Sequence, residues 1–309
     1  DNSSRVIISV SEDLGGGLSA IGQWDIRAPM DSASSMSNSG NTWVGLRSTS
    51  WGTATLGRHD LHYGSQPDDI ASKAGALMAA SISLMDFTAN GTAIANGTRT
   101  PNVVRWDSPN WGGFAVTAAY SFGNSAQEAD LTGTETGQAY NLKAQYTAAN
   151  WQIGGSLWNM ASDGATAATQ VEQDGMVVYG YLRFGGFKVG AAMNQSKVMV
   201  GGVDTQDRVA YTVPVSFTTG PHNFYAHYTI ADDDDVSVGV EDGATMMAIA
   251  YVYDLSKRTS IGITYATIDN DTGAAYNFFT NTGALGSTGS ALTAGEDGTL
   301  IALTVRHAF

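Results

Sequence analysis

The residues able to do chemistry are few, and their spacing does not suit catalysis. The chain carries five histidines, His59, His62, His222, His227 and His307, and no cysteine. A hydrolase site would need a serine or aspartate paired with a histidine. His59 and His62 flank Asp60, but no nucleophile elbow or metal-ligand spacing accompanies any of the five, so the chain is not expected to be an enzyme. The densest carboxylates are the run Asp232, Asp233, Asp234 and Asp235, with Glu241 and Asp242 close behind. Hard cations take oxygen ligands, so calcium at this acidic segment is the single cofactor expectation. Its spacing fits no established calcium loop, and a solvated acidic rim is the favoured alternative. Acidic residues exceed basic ones by 29 to 15, a net charge of -14 that disfavours nucleic acid as a partner.

The basic residues become informative once the elements that position them are read. The dominant hydrophobic period is two. Ile261, Ile263 and Tyr265 alternate with Ser260, Gly262 and Thr264; Val209, Tyr211, Val213, Val215 and Phe217 share one face; Tyr140, Leu142, Ala144 and Tyr146 oppose Asn141, Lys143 and Gln145. Charged residues make up only 14% of the chain, so the apolar faces are interleaved with small polar residues rather than with surface charge. No stretch approaches 18 uninterrupted apolar residues, so no membrane-spanning helix is expected.

This pattern predicts strands near 4–11, 18–26, 42–48, 53–59, 101–108, 113–121, 138–147, 151–159, 176–184, 187–196, 207–217, 222–231, 245–254, 258–268 and 298–309. A soluble sandwich shows the same alternation, and two features speak against one. Aromatics such as Trp151, Phe184, Phe187, Phe217, Phe224 and Phe309 sit at strand ends, as in the girdles of a transmembrane barrel. Connections also alternate between short, as at 12–17, 49–52 and 109–113, and long, as at 27–41, 60–100, 122–137 and 197–206. Outer-membrane barrels pair short periplasmic turns with long external loops in this way. The expectation is a single domain over 1–309, an all-β transmembrane antiparallel barrel. Fifteen strands are visible. Even strand counts are the rule, and the first visible strand runs down into a periplasmic turn. An ascending N-terminal strand and first loop are therefore expected to be missing, giving about 16 strands, a size that leaves an aqueous channel.

Strand parity then places Arg5, Asp25, Arg47, Arg105, Lys143, Arg183, Lys188, Arg208 and Arg306 on the inward face. A basic side chain in lipid costs roughly 2–4 kcal/mol at the midplane, which supports that facing.

Four segments carry a family resemblance. Ser11-Glu12-Asp13-Leu14-Gly15-Gly16-Gly17-Leu18 resembles the GxEDLGGGL turn of the general porins of β-proteobacteria. Trp51-Gly52-Thr53-Ala54-Thr55-Leu56-Gly57-Arg58 is similar to their FGTVTLGR strand, and Asn102 to Phe114 to their NSVRYDSPxFGGF hairpin. Arg306-His307-Ala308-Phe309 resembles their terminal strand. The resemblance implies a 16-stranded homotrimer of the outer membrane whose third external loop folds into the lumen, with outer-membrane lipid and lipopolysaccharide as neighbours. It also implies passive diffusion of small polar solutes and ions, with a lean toward anions. Arg5 and Arg105 match the family's wall arginines, and Asp25 matches a lumen acid. A third wall arginine aligns with Asn41, and Arg47 faces the same way at a lower level. The third loop brings Asp60, Asp68, Asp69 and Asp86. The expected constriction is thus Arg5, Asp25, Arg47 and Arg105 opposed by Asp68 and Asp69. A soluble adhesive β-protein and a channel specific for an organic acid, sugar or phosphate are the competing readings.

Overall fold

The computed structural model describes residues 4–28, 35–63, 67–74, 76–123, 137–162, 167–280, 283–284 and 292–309. Its strands are β1 (Arg5–Gly15), β2 (Leu18–Arg27), β3 (Trp43–Ser48), β4 (Gly52–His59), β5 (Thr100–Asp107), β6 (Phe114–Ser121), β7 (Gln138–Thr147) and β8 (Trp151–Ser162). They continue with β9 (Val171–Phe184), β10 (Phe187–Val200), β11 (Val203–Thr219), β12 (His222–Ala231), β13 (Ala244–Asp254) and β14 (Thr259–Asn270). After a two-residue ladder of β15 (Phe279–Thr280) and β16 (Gly283–Ala284) comes β17 (Gly298–His307). All but that ladder form one 15-stranded sheet in which each strand pairs only with its sequence neighbours, antiparallel throughout. Short-range connectivity of this kind is what alternation interrupted by turns produces.

The sheet is inside-out relative to a soluble protein. Val10, Val44, Leu142, Ile153, Val213, Ile249, Ile263 and Leu303 are exposed, while their strand neighbours Asn141, Thr212 and Thr264 are buried. Only hydrocarbon outside and water or loop inside makes that arrangement stable. Aromatic rings at the lower strand ends touch in series to form a belt, with centroids 5.2 Å apart for Tyr146 and Trp151, 4.4 Å for Phe187 and Phe217, and 5.1 Å for Phe224 and Tyr251.

Strand positions agree with the sequence reading to within a few residues, with one group of exceptions. β9, β10 and β11 extend further than expected, and the long connection foreseen at 197–206 is instead a two-residue turn at Gly201 and Gly202. Both glycines have positive φ, 59° and 77°, as a primed hairpin turn demands. The pairing of Val200 with Val203 across this turn closes the hairpin directly.

The third loop, between β4 and β5, lies inside the wall. It contains a π-helical turn at Ile70–Ala74, a 3-10 turn at Leu77–Ala79 and a one-turn helix, α1 (Ile82–Met85). These touch strands from opposite parts of the sheet. Ser156 of β8 bonds His62 at 2.9 Å, Asn194 of β10 donates to the Met85 carbonyl at 2.7 Å, and His227 of β12 meets the Ala79 carbonyl at 2.8 Å. Thr304 of β17 donates to the Ala74 carbonyl at 2.9 Å. A sheet whose β8, β10, β12 and β17 all reach one loop has curled around it, and the loop's apolar residues Ile70, Ala74, Leu84 and Met85 form a buried cluster with the inner faces of β9 to β14.

Candidate pore constriction

With the third loop packed on β8 to β14, open space remains along β5 to β7. A cavity of about 370 Å³ lies there, lined by Asp60, Tyr63, Arg105, Asp107, Thr117 and Lys143 among others. Arg105 and Asp107 stand two residues apart on β5, so they share its inward face. Arg105 clasps Asp107 in a bidentate pair, Nε and Nη2 donating at 2.9 and 2.8 Å, and Nη1 reaches the Asp60 carbonyl at 3.4 Å. Thr117 of β6 donates to Asp107 at 2.6 Å. Lys143 projects from β7 with its ammonium 5.4 Å from the Tyr179 ring.

A second cluster adjoins the first along β1 and β2. The Asp25 carboxylate is 1% exposed and meets Arg5 at 3.4 Å and Arg27 at 3.5 Å. The Asn41 backbone N–H donates to the same carboxylate at 3.3 Å. Gly40 passes so close that a Cβ there would overlap the Asp25 side chain. Asp60 links the two clusters. Its carboxylate accepts from the Asn41 side chain at 2.8 Å, from the Arg99 backbone at 2.8 Å and from the Thr98 hydroxyl at 3.1 Å. Arg99 is held at φ 46° and Ala95 at 42°. Such conformations cost on the order of 1–3 kcal/mol each and persist only where surrounding contacts impose them.

The structure therefore brings Arg5, Asp25 and Arg105 toward one wall and sorts the other expected residues differently. Arg47 is exposed on β3 near the lower turn, with no ion-pair partner among the described residues. Asp68 accepts backbone N–H bonds from Ile70 and Ser81, both within its own loop. Asp69 pairs with Lys188 of β10 at 2.9 Å, on the filled side of the lumen. Asp86 is buried and accepts from Asn194 at 3.1 Å. Asp60 is the third-loop acid at the open wall. Arg27, Arg99 and Asp107 were not anticipated. Arg27 and Asp107 follow from parity, standing two positions beyond Asp25 and Arg105 respectively. Arg99 sits outside any strand, where no periodic signal exists.

The acidic run after β12 is tied up in its own turn. Asp233 accepts from the N–H groups of Asp242 and Gly243 at 2.9 and 2.7 Å, and Asp234 accepts from Asp207 at 2.9 Å. Among the described residues no three acidic or histidine side chains converge as a metal cage. Burial, then neighbouring carboxylates, raise Asp232 and Asp271 above the ordinary carboxylate value.

A wall of lipid-facing strands, an inward loop and a charge-lined gap is the anatomy of a porin. The pattern of the Gram-negative porins matches residues 1–273. The chain belongs to the Gram-negative porin family. It is an outer-membrane channel through which small hydrophilic solutes diffuse passively, and not an enzyme. Outer membrane porin protein 32 of Delftia acidovorans is 26% identical over 318 residues, covering 100% of this chain and 85% of that protein. Among solved structures, an anion-selective porin from Comamonas acidovorans superposes with a TM-score of 0.81 at 20% identity, covering 99% of this chain and 90% of that one. The trimer form of OmpT from Vibrio cholerae gives 0.70 at 14% identity, covering 99% and 91%.

Proposed function

We propose that this porin favours anions. The observation that carries the reading is the imbalance along the open wall. Five cationic groups, Arg5, Arg27, Arg99, Arg105 and Lys143, stand against three carboxylates, Asp25, Asp60 and Asp107. Fields persist over about 10 Å at 0.1 M salt, so a passing ion senses the surplus even where each arginine is paired. The anion-selective character of the Comamonas relative lends support. The acidic run Asp232 to Asp235, with Glu241 and Asp242, stands apart from the open wall, on the segment between β12 and β13.

Arg105→Ala removes one positive charge and leaves Asp107 facing the gap alone. A change worth about 0.5–1 kcal/mol on an ion in a water-filled lumen alters the permeability ratio by about two- to fivefold. In a salt gradient across a planar bilayer, the reversal potential of the variant is expected to move toward cations; an unchanged potential removes Arg105 from the neck. We also propose assembly as a homotrimer, supported by the trimeric Vibrio neighbour, with outward apolar residues meeting lipid and lipopolysaccharide. Gel mobility of unheated protein against cross-linked standards tests it.

A further inference from the structure

The eighth external loop, after β14, begins with a composition unlike that of an exposed loop. Ala274-Ala275-Tyr276-Asn277-Phe278-Phe279 is an apolar and aromatic run at a place where water would normally surround the chain. The run is buried: Tyr276 is 1% exposed, Phe278 4% and Phe279 3%. Asn270 braces its turn, donating to the Tyr276 carbonyl at 3.0 Å and accepting from the Tyr276 N–H at 2.9 Å.

The burial is against the third loop. Arg208 of β11, itself buried, joins the two loops. Its Nη1 donates to the Leu84 carbonyl at 2.6 Å and to the Tyr276 hydroxyl at 2.7 Å, and its Nη2 donates to the Met85 carbonyl at 3.0 Å. The Ala275 N–H donates to the Ala89 carbonyl at 2.7 Å, and the Phe279 N–H donates to the Ser83 hydroxyl at 3.0 Å. The Phe279 ring packs 5.1 Å from Phe87 and 6.1 Å from Tyr63. Tyr276 and Phe278 complete the apolar cluster with Met246, Ala248 and Ile268 on β13 and β14. The space between the third loop and that wall is therefore closed by the eighth loop.

We infer that the size limit of this channel is set by two loops acting together, with Tyr276 and Phe279 of the eighth loop as width-determining residues. The third loop supplies the scaffold and one face of the gap. The eighth loop packs with it on the β11 to β14 side and seals that side against water, so the passage is left on the β5 to β7 side. The seal is made of aromatic and aliphatic side chains around the buried Arg208, so it acts on solute size.

Tyr276→Ala combined with Phe279→Ala opens the sealed side. Current through a water-filled pore follows its open cross-section, so single-channel conductance is expected to rise about 1.5-fold or more. The largest polyethylene glycol that enters should grow in parallel. Conductance and polymer cut-off equal to those of the parent overturn the inference. A second experiment does not depend on that variant folding. The chain has no cysteine, and the Ala275 N–H to Ala89 carbonyl bond of 2.7 Å sets these two residues side by side. Ala89→Cys with Ala275→Cys is expected to cross-link under mild oxidation in intact membranes; failure to cross-link shows that the eighth loop is not seated on the third and overturns the proposal.

Discussion

At the scale of single residues, Asp25 shows how a lumen charge is held. Its carboxylate is buried between two guanidinium groups and beneath Gly40, so it compensates Arg5 and Arg27 while offering little to solution. Asp25→Asn leaves Arg27 without its counter-charge, and breaking a buried pair this way costs about 3 kcal/mol. The variant should unfold at lower urea in detergent while its reversal potential moves further toward anions, opposite in sign to Arg105→Ala. Gly40→Ala displaces the same carboxylate without changing charge, so it should lower stability alone. His62 gives a second residue-scale test. Burial, and then the Lys143 ammonium, push its imidazole down to about 4. The docked ring is thus neutral, whereas a freed one titrates near 6.5. Docking of the third loop is at full strength above about pH 6.5 and weakens as pH falls toward 4. Nuclear magnetic resonance titration of His62 checks this, and a midpoint near 6.5 would mean the ring is solvated.

At the scale of elements, the β10–β11 hairpin and the acidic seventh loop behave differently for local reasons. Gly201 and Gly202 occupy left-handed conformations, and a Cβ on Gly201 would press on the backbone of Ala168. Gly201→Ala should cost about 1–2 kcal/mol in urea unfolding, since a side chain there meets its own carbonyl. The seventh loop spends its carboxylates on backbone N–H groups, yet burial raises Asp232 and Asp242. An acid raised in the folded loop opposes folding while ionised, and the opposition fades as pH falls toward the raised value. The segment 232–242 is therefore expected to resist proteolysis better near pH 4, close to the ordinary carboxylate value, than at pH 8, with mass spectrometry of early fragments as the measure.

At the scale of the whole molecule, the fold rests on lipid outside and a wet, partly plugged interior. Ile263, at the middle of β14, points outward with 47% exposure, between Tyr251 and Leu303 on the neighbouring strands. Ile263→Arg should cost about 2–4 kcal/mol of folding free energy in bilayers, because the guanidinium is placed in hydrocarbon. A near-neutral effect in reversible folding measurements would contradict the assigned facing. The same logic explains why the interior tolerates Asn141, Asn194 and Thr212: each meets loop carbonyls or strand hydroxyls rather than lipid.

The sequence by itself determined the number of strands, their order and the side to which each residue points. Those properties are local: successive side chains alternate across a strand, and lipid admits only apolar residues on one of the two faces. Arg5, Asp25 and Arg105 were legible for that reason, and Arg27 and Asp107 could have been found by the same parity. Only the tertiary structure decided that Asp60 rather than Asp68 or Asp69 stands at the open wall, that Arg99 joins the cationic cluster, and that the eighth loop enters the lumen. Irregular segments carry no period, so their placement depends on contacts between distant parts of the chain, such as Thr304 with Ala74 and Phe279 with Ser83. Such contacts exist only after the sheet has curled, when a loop can reach the far wall and exchange water for hydrogen bonds and packed side chains.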